Sequence, residues 1–244
     1  MAPTLTRTTR KGIAMEVDEA AGRAGVLVAF TGRGGGVSEP PYDTLNLALT
    51  VGDRQRAVEE NRRRVAAALG FETWALALTV QVHGADVVRV RRGQAGIVGT
   101  ADALVTQSRR PVLGLLTADC APVVLLGRRL AVAHAGWRGL AAGAIAEAAA
   151  AAGPVTAAWV GPSIRSCCYE VGPEVVDAFG AARLPVADDS HVDIPEAAAA
   201  AVRACGVTSV AVSEVCTGCD PAWFSHRRDR TTGRNGAFAA LRRV

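Results

Sequence analysis

LTVQVHGADVVRV (78–90), DALVT (102–106), VLGLLTADCAPVVLL (112–126) and LAVAHAGWRGL (130–140) make up the stretch that decides the fold. Its apolar runs are short, rich in Val and Leu, and broken by Gly, Pro and Arg, which is the texture of strands rather than helices. Strands are expected at 78–82, 86–90, 102–106, 112–117, 122–126 and 130–135. Gaps this short point to a mostly antiparallel or mixed sheet, because all-parallel pairing needs long crossovers.

Working outward, VLVAF (26–30) reads as a buried strand and leads into a loop dense in Gly and Pro, TGRGGGVSEPPYDTLN (31–46). DRQRAVEENRRRVAAALG (53–70) has apolar residues at helical spacing, with Asp53 as the expected N-cap and Gly70 as the stop. On the other side, GLAAGAIAEAAAAA (139–152) is an alanine-rich helix ended by Gly153-Pro154. A strand at 155–160, helices starting at Pro173 and Pro195, and a strand at 207–213 follow. The tail CTGCDPAWFSHRRDRTTGRNGAFAAL (216–241) receives no element. Residues 1–20 are expected to be a disordered N-terminal extension, with Met15 an alternative start, ahead of a single domain over 21–244.

Half of the 244 residues are hydrophobic and 20% are charged, so the chain can bury a full core. A net charge of +4, with acids and arginines interleaved, is too weak for a nucleic-acid partner. Aromatics at 5% do not supply a base-stacking platform. The start lacks an apolar signal core, and the most apolar stretch, 112–126, carries Asp119, so no membrane partner and a cytoplasmic location are expected. In that setting the six cysteines read as thiols or metal ligands before disulfides.

The chain has four histidines, and His83 and His134 sit at strand ends beside glycine, where a ligand can approach closely. Cys120 ends the apolar run between them. Two imidazoles and one thiolate suit a metal site with three protein ligands and an open position, the catalytic pattern for zinc. Three other readings of the same atoms stay open. The residues are ordinary core; or Cys120 is the nucleophile of a Cys–His hydrolase with Asp119 or Asp86 as orienter; or the set holds copper. A multicopper cluster needs far more histidines than the two that remain. TGRGGGVS lacks the lysine and helix start of a phosphate loop, although its amides and Arg33 offer an anion site. The arginines of FSHRRDRTTGR suit a phosphate or carboxylate. Cys216 and Cys219 form a C-x-x-C, but a structural metal site needs a second pair, and adjacent Cys167-Cys168 do not have that spacing.

TGRGGGVS (31–38), TLNL (44–47), VGDRQRAVEENR (51–62), QVHGADV (81–87), TADCAPVVL (117–125), AVAHAGWRGL (131–140), GPSIRSCCYEVG (161–172) and CTGCDPAWFSHRRDRTTGR (216–234) occur in that order. In this the chain, over roughly 26–240, resembles the YlmD/YfiH family, also called the laccase-domain or polyphenol oxidase family. The resemblance implies an α/β fold of the α+β type, a single domain of mixed β-sheets sandwiched between helices. It implies a catalytic zinc on His83, Cys120 and His134, with Cu2+ as the alternative. It implies phosphorolysis of adenosine, inosine and S-methyl-5'-thioadenosine to free base and ribose 1-phosphate, with adenosine deamination. An older copper oxidase label and a peptidoglycan-editing role are also attached to the family. For nucleoside and phosphate, Arg33, Asn46, Arg138, Arg227 and Arg228 are the candidate binders, in a monomer or weak homodimer. The departures from the family pattern are Cys219 and a short segment between Glu170 and Cys216.

Overall fold

The computed structural model describes residues 2–243. In chain order the elements are β1 (Thr6–Arg10), β2 (Ile13–Val17), α1 (Glu19–Arg23), β3 (Val26–Thr31), α2 (Gln55–Leu69), β4 (Leu76–Val80), β5 (Val87–Arg89), β6 (Gly96–Thr100), β7 (Ala103–Thr106), β8 (Val112–Thr117), β9 (Ala121–Leu126), β10 (Leu130–Ala135), α3 (Trp137–Ala141), α4 (Ala144–Ala152), β11 (Ala157–Val160), α5 (Pro173–Ala181), α6 (Ile194–Ala204), β12 (Val210–Val212), α7 (His226–Asp229) and β13 (Asn235–Leu241). The strands form two sheets, β1-β2-β3-β13-β8-β4-β6 and β12-β11-β9-β10-β7-β5. Both are mixed: β4 runs parallel to β6 and β8, and β11 parallel to β12, among antiparallel neighbours.

Alternation along the strands sorts side chains into layers. On β3, Val26, Val28 and Phe30 face the second sheet and pack with Leu113, Leu115, Val124, Val132 and Trp159. Leu27 and Ala29 face away, onto Val65 and Leu69 of α2. On the far sheet, Val123, Leu125, Ala131 and Ala133 pack against Ile145, Phe179, Ala198 and Val202 of the other helices. The order is therefore helix, sheet, sheet, helix, the expected mixed sheets sandwiched between helices.

Several local expectations change. Residues 6–17 are not disordered: β1 and β2 are an antiparallel hairpin on the edge of the first sheet. Lys11 and Gly12 supply the turn at φ 49 and 80, and Ile13, Met15 and Val17 bury at period two. Because β1 is all threonine and arginine and the apolar residues of β2 alternate with Ala14 and Glu16, no apolar run advertised them. α2 starts later than expected, with Arg54 at the N-cap and no side-chain cap. Asp53 instead accepts hydrogen bonds from Ser38 and Asn46 and fastens the preceding loop. Gly70 ends the helix in the left-handed conformation as read. The alanine-rich segment is two helices, broken at Gly143 with φ 84. β13, in the unassigned tail, lies between β3 and β8.

No helix among the described residues is long and apolar enough to cross a membrane. One polar group crosses the apolar core: Trp159 Nε1 donates to Asp18 Oδ2 at 2.8 Å, while Asp18 Oδ1 caps α1 through the Ala21 amide at 2.8 Å. Trp159→Phe removes that donor and leaves a void, and should lower unfolding free energy by about 2 kcal/mol. In urea denaturation the midpoint should fall with the slope unchanged; an unchanged midpoint would show that the bond contributes nothing.

Candidate functional site

The chain passes from the first sheet to the second at three places, and the site is built from those crossings. After β4 it turns through 81–86 into β5; after β6 it passes Asp102 into β7; after β8 it passes Asp119 and Cys120 into β9. His134 comes from β10, two residues beyond Val132, so the same alternation points it between the sheets toward these crossings.

Asp102 organises them. Its side chain is fully buried. Oδ1 accepts from the His83 amide at 2.9 Å and lies 2.8 Å from His134 Nδ1. Oδ2 accepts from the Val82 and Gly84 amides at 3.1 and 2.7 Å. A buried carboxylate is costly unless bonded in this way. Burial pushes its pKa up, but the His134 bond and the Gly84 and Val82 amides outweigh burial and bring it to about 2. An ionised carboxylate can only accept, so His134 donates from Nδ1, which leaves Nε2 to ligate a metal once its proton is displaced. The same bonds hold His83 at φ 61, a left-handed conformation that costs a side-chain-bearing residue about 1–2 kcal/mol.

His83, Cys120 and His134 then present donor atoms all within 4.8 Å of one another. Cys120 Sγ is 3.8 Å from His83 Nε2, and the two imidazoles meet edge to face at 4.8 Å between centroids. Gly136 keeps the space open, since a Cβ there would lie 2.9 Å from Cys120 Sγ and 2.9 Å from His83 Cδ2. Burial pushes the Cys120 thiol up, but the charge of His134 and the bonds from both histidines outweigh it and bring it to about 6. Burial pushes His134 down, while the Cys120 thiolate and Asp102 raise it to about 9. A thiolate beside two imidazoles, one oriented by a carboxylate, fits a divalent transition metal.

Asp102, which sequence reasoning passed over, is thus the orienter, and Asp119 and Asp86 are not. The available signal was a carboxylate opening the otherwise apolar strand DALVT. Asp119 does a different job: it accepts from Thr217 Oγ1 at 2.6 Å and from the Arg227 amide at 2.7 Å, fastening the tail over the site. Asp86 offers its backbone carbonyl to Ala103. His191 pairs with Asp188 at 2.9 Å, and His226 with the Arg230 carbonyl at 2.6 Å, and neither is among the gathered donors.

The candidate binders fall into two groups. Arg33 pairs with Asp43 at 3.0 Å and Asp229 at 3.5 Å. Arg228 pairs with Asp229 and donates to the Thr217 and Trp223 carbonyls, each at 2.8 Å. Asn46 is fully buried and bonds Ala48, Asp53 and the Arg234 amide. Those three build the scaffold. Arg138 lies over Trp137 at 4.2 Å, and Arg227 over Tyr169 at 4.6 Å with one bond to the Glu170 carbonyl. Neither meets a carboxylate among the described ion pairs. Burial and the Cys120 charge push the Tyr169 hydroxyl up to about 12, with Arg227 pulling the other way and Asp119 and Arg138 also acting on it. Tyr169 therefore lies within the fields of Cys120, Arg227 and Arg138. Half-buried Arg234 belongs here too, within the fields of Asp119 and Cys120. In the glycine-rich loop, the amides of Gly32, Arg33, Gly36, Val37 and Ser38 are spent on internal partners.

The family model described as multi-copper polyphenol oxidoreductase laccase matches residues 27–242. A relative in Escherichia coli K12, "Purine nucleoside phosphorylase YfiH", is 39% identical over 231 residues, covering 89% of this chain and 94% of the relative. "Purine nucleoside phosphorylase YlmD" of Geobacillus stearothermophilus is 36% identical over 257 residues, covering 90% and 91%. The crystal structure of YlmD from Geobacillus stearothermophilus superposes with a TM-score of 0.87 at 33% identity, covering 99% of this chain and all (100%) of that one.

Two outcomes follow from the geometry. Asp102→Asn should weaken metal binding by about 10–100-fold in chelator competition, because an amide keeps one acceptor oxygen where the carboxylate uses two, so either His134 and His83 or the Val82 and Gly84 amides lose their acceptor; unchanged affinity would show that Asp102 is only structural. In metal-stripped protein, Cys120 alkylation followed by peptide mass spectrometry should rise with pH through about 6. Lowered pKa means thiolate persists at neutrality and is lost only below that point; a rise centred near the ordinary thiol value, about 8.5, would refute the pairing with His134.

Proposed function

The chain belongs to the multi-copper polyphenol oxidoreductase laccase family, and on that premise we propose that it is a zinc-dependent purine nucleoside phosphorylase that also deaminates adenosine. The observation that carries the reading is the three-donor cluster of His83, Cys120 and His134, kept open by Gly136 and bordered by arginines that meet no carboxylate among the described residues. Three protein ligands fit a catalytic ion, and zinc bound by them would supply Lewis acidity to the substrate. With His191 and His226 bonded elsewhere, a multi-copper cluster has no further imidazoles to draw on.

The chain's own groups account for the remaining requirements. In phosphorolysis a phosphate oxygen bonds to the anomeric carbon while the glycosidic carbon–nitrogen bond breaks. The electron pair goes to the purine, which takes up a proton. Arg138 and Arg227 suit the phosphate, because a planar guanidinium binds its oxygens bidentately. Their stacking on Trp137 and Tyr169 holds those planes in place. Tyr169, protonated at neutral pH, is a hydrogen-bond donor beside the cluster. Asp119 fixes the Arg227 backbone, and Arg33, Asn46 and Arg228 support the wall. Adenosine, inosine and S-methyl-5'-thioadenosine are the proposed substrates. The cysteines, free of disulfides, fit a cytoplasmic enzyme.

The test is elemental analysis of purified protein, then incubation of inosine with phosphate and detection of hypoxanthine and ribose 1-phosphate. Zinc with both products is expected. Cys120→Ala should lose about a thousandfold or more in kcat/KM, since the Lewis acid's several kcal/mol disappear. Arg227→Ala should raise the phosphate KM by about tenfold or more through loss of a charge-assisted contact. Copper with phenol oxidation and no base release would overturn the reading, as would full turnover in metal-free Cys120→Ala.

A further inference from the structure

Four cysteines outside the site described above meet between two loops. Cys167 and Cys168 lie on a turn in which the Cys168 amide donates to the Arg165 carbonyl at 3.0 Å. Cys216 and Cys219 lie on a second turn, where the Cys216 carbonyl accepts from the Cys219 and Asp220 amides at 3.2 and 2.9 Å. The loops run side by side through a parallel bridge of Ser163 with Cys216, and Thr217 N–H donates to the Ser163 carbonyl at 3.1 Å. Adjacent residues 167 and 168 have the wrong spacing for a finger-type pair, yet the turn splays their sulfurs 3.9 Å apart. Cys167 Sγ is 3.5 Å from Cys216 Sγ and 3.4 Å from Cys219 Sγ, and Cys168 Sγ is 3.1 Å from Cys219 Sγ. All four lie within 4.8 Å of one another, and none is in a disulfide.

Packing does not explain the gathering. Cys216 is buried in the core and Cys168 packs against it, but Cys167 and Cys219 are exposed, so burial does not account for their approach, and thiols are weak hydrogen-bond partners. A metal does explain it. Four sulfurs about 2.3 Å from a tetrahedral zinc stand about 3.8 Å apart, close to the separations here. The Arg165 amide points at Cys216 Sγ from 3.4 Å, a donor suited to a thiolate. Gly218 permits the close approach, since a Cβ there would lie 2.7 Å from Cys168 Cβ and 3.0 Å from its Sγ.

We propose that Cys167, Cys168, Cys216 and Cys219 hold a structural zinc ion in a closed tetrathiolate site, separate from the centre at His83, Cys120 and His134. The ion staples the 165–169 turn to the 216–219 turn. Tyr169 is the next residue after Cys168, Thr217 bonds Asp119, and Arg228 bonds the Thr217 and Gly218 carbonyls. The staple therefore fixes the wall that carries Tyr169 and Arg227, and it stands whether or not the nucleoside reading does.

The test uses the full chain purified in reducing buffer with added zinc, as wild type, Cys120→Ala and Cys120→Ala/Cys219→Ser. Native mass spectrometry and elemental analysis should find one zinc per chain in Cys120→Ala and none in the double variant. Cobalt loaded into Cys120→Ala should give the intense visible absorption and sulfur-to-metal charge transfer of a tetrahedral tetrathiolate, a readout that needs no change in the cluster itself. A Cys120→Ala protein that binds no metal under these conditions would overturn the proposal. So would recovery of the four cysteines as two disulfides.

Discussion

A single buried carboxylate ties the two sheets together where the chemistry is located. Asp102 lies on a crossing between them, receives amides from the turn after β4, and holds an imidazole from β10. The first sheet contributes that turn and the second contributes His134, so neither sheet alone can assemble the ligand set. Apolar burial between the sheets is non-directional and sets only their separation. The hydrogen bonds to Asp102 supply direction: they determine which nitrogen of His134 donates to the carboxylate and which conformation the His83 backbone adopts.

The surrounding parts follow a similar division of labour. Asp119 adjoins Cys120 in sequence, yet its bonds reach the tail rather than the thiolate. Arg33 and Arg228 share Asp229 and hold the loop after β3 to α7, whereas Arg138 and Arg227 lie on aromatic faces with their charge unspent. Stacking alone does not separate the two groups, since Arg33 also lies over the Phe224 ring at 4.8 Å; the acids that pair with it do.

Legibility in the sequence follows the same physics. The apolar runs at 112–117, 122–126 and 130–135 were readable because strands buried on both faces are apolar throughout. His83, Cys120 and His134 were readable because glycine neighbours and apolar context set them apart. The β1–β2 hairpin was not, since β1 is all threonine and arginine and β2 has only three large apolar residues, separated by Ala14 and Glu16. β13 was hidden behind an arginine-rich tail. Asp102 and the four-cysteine cluster depend on which crossings become neighbours, and one-dimensional spacing does not encode that. Residues 167 and 216 are distant in the chain and 3.5 Å apart at sulfur.

The position of β13 has a consequence for how the molecule comes into being. Gly236 pairs with Thr31 on one side and Leu116 on the other, so the strand closing the middle of the first sheet is synthesised long after its neighbours. Until residues 235–241 leave the ribosome, β3 and β8 each face an open slot with unpaired amides and carbonyls. Contacts of such sequence separation make folding slow and expose the unfinished sheet to pairing with other chains. The nascent protein must therefore wait for its tail before the first sheet is continuous from β3 to β8.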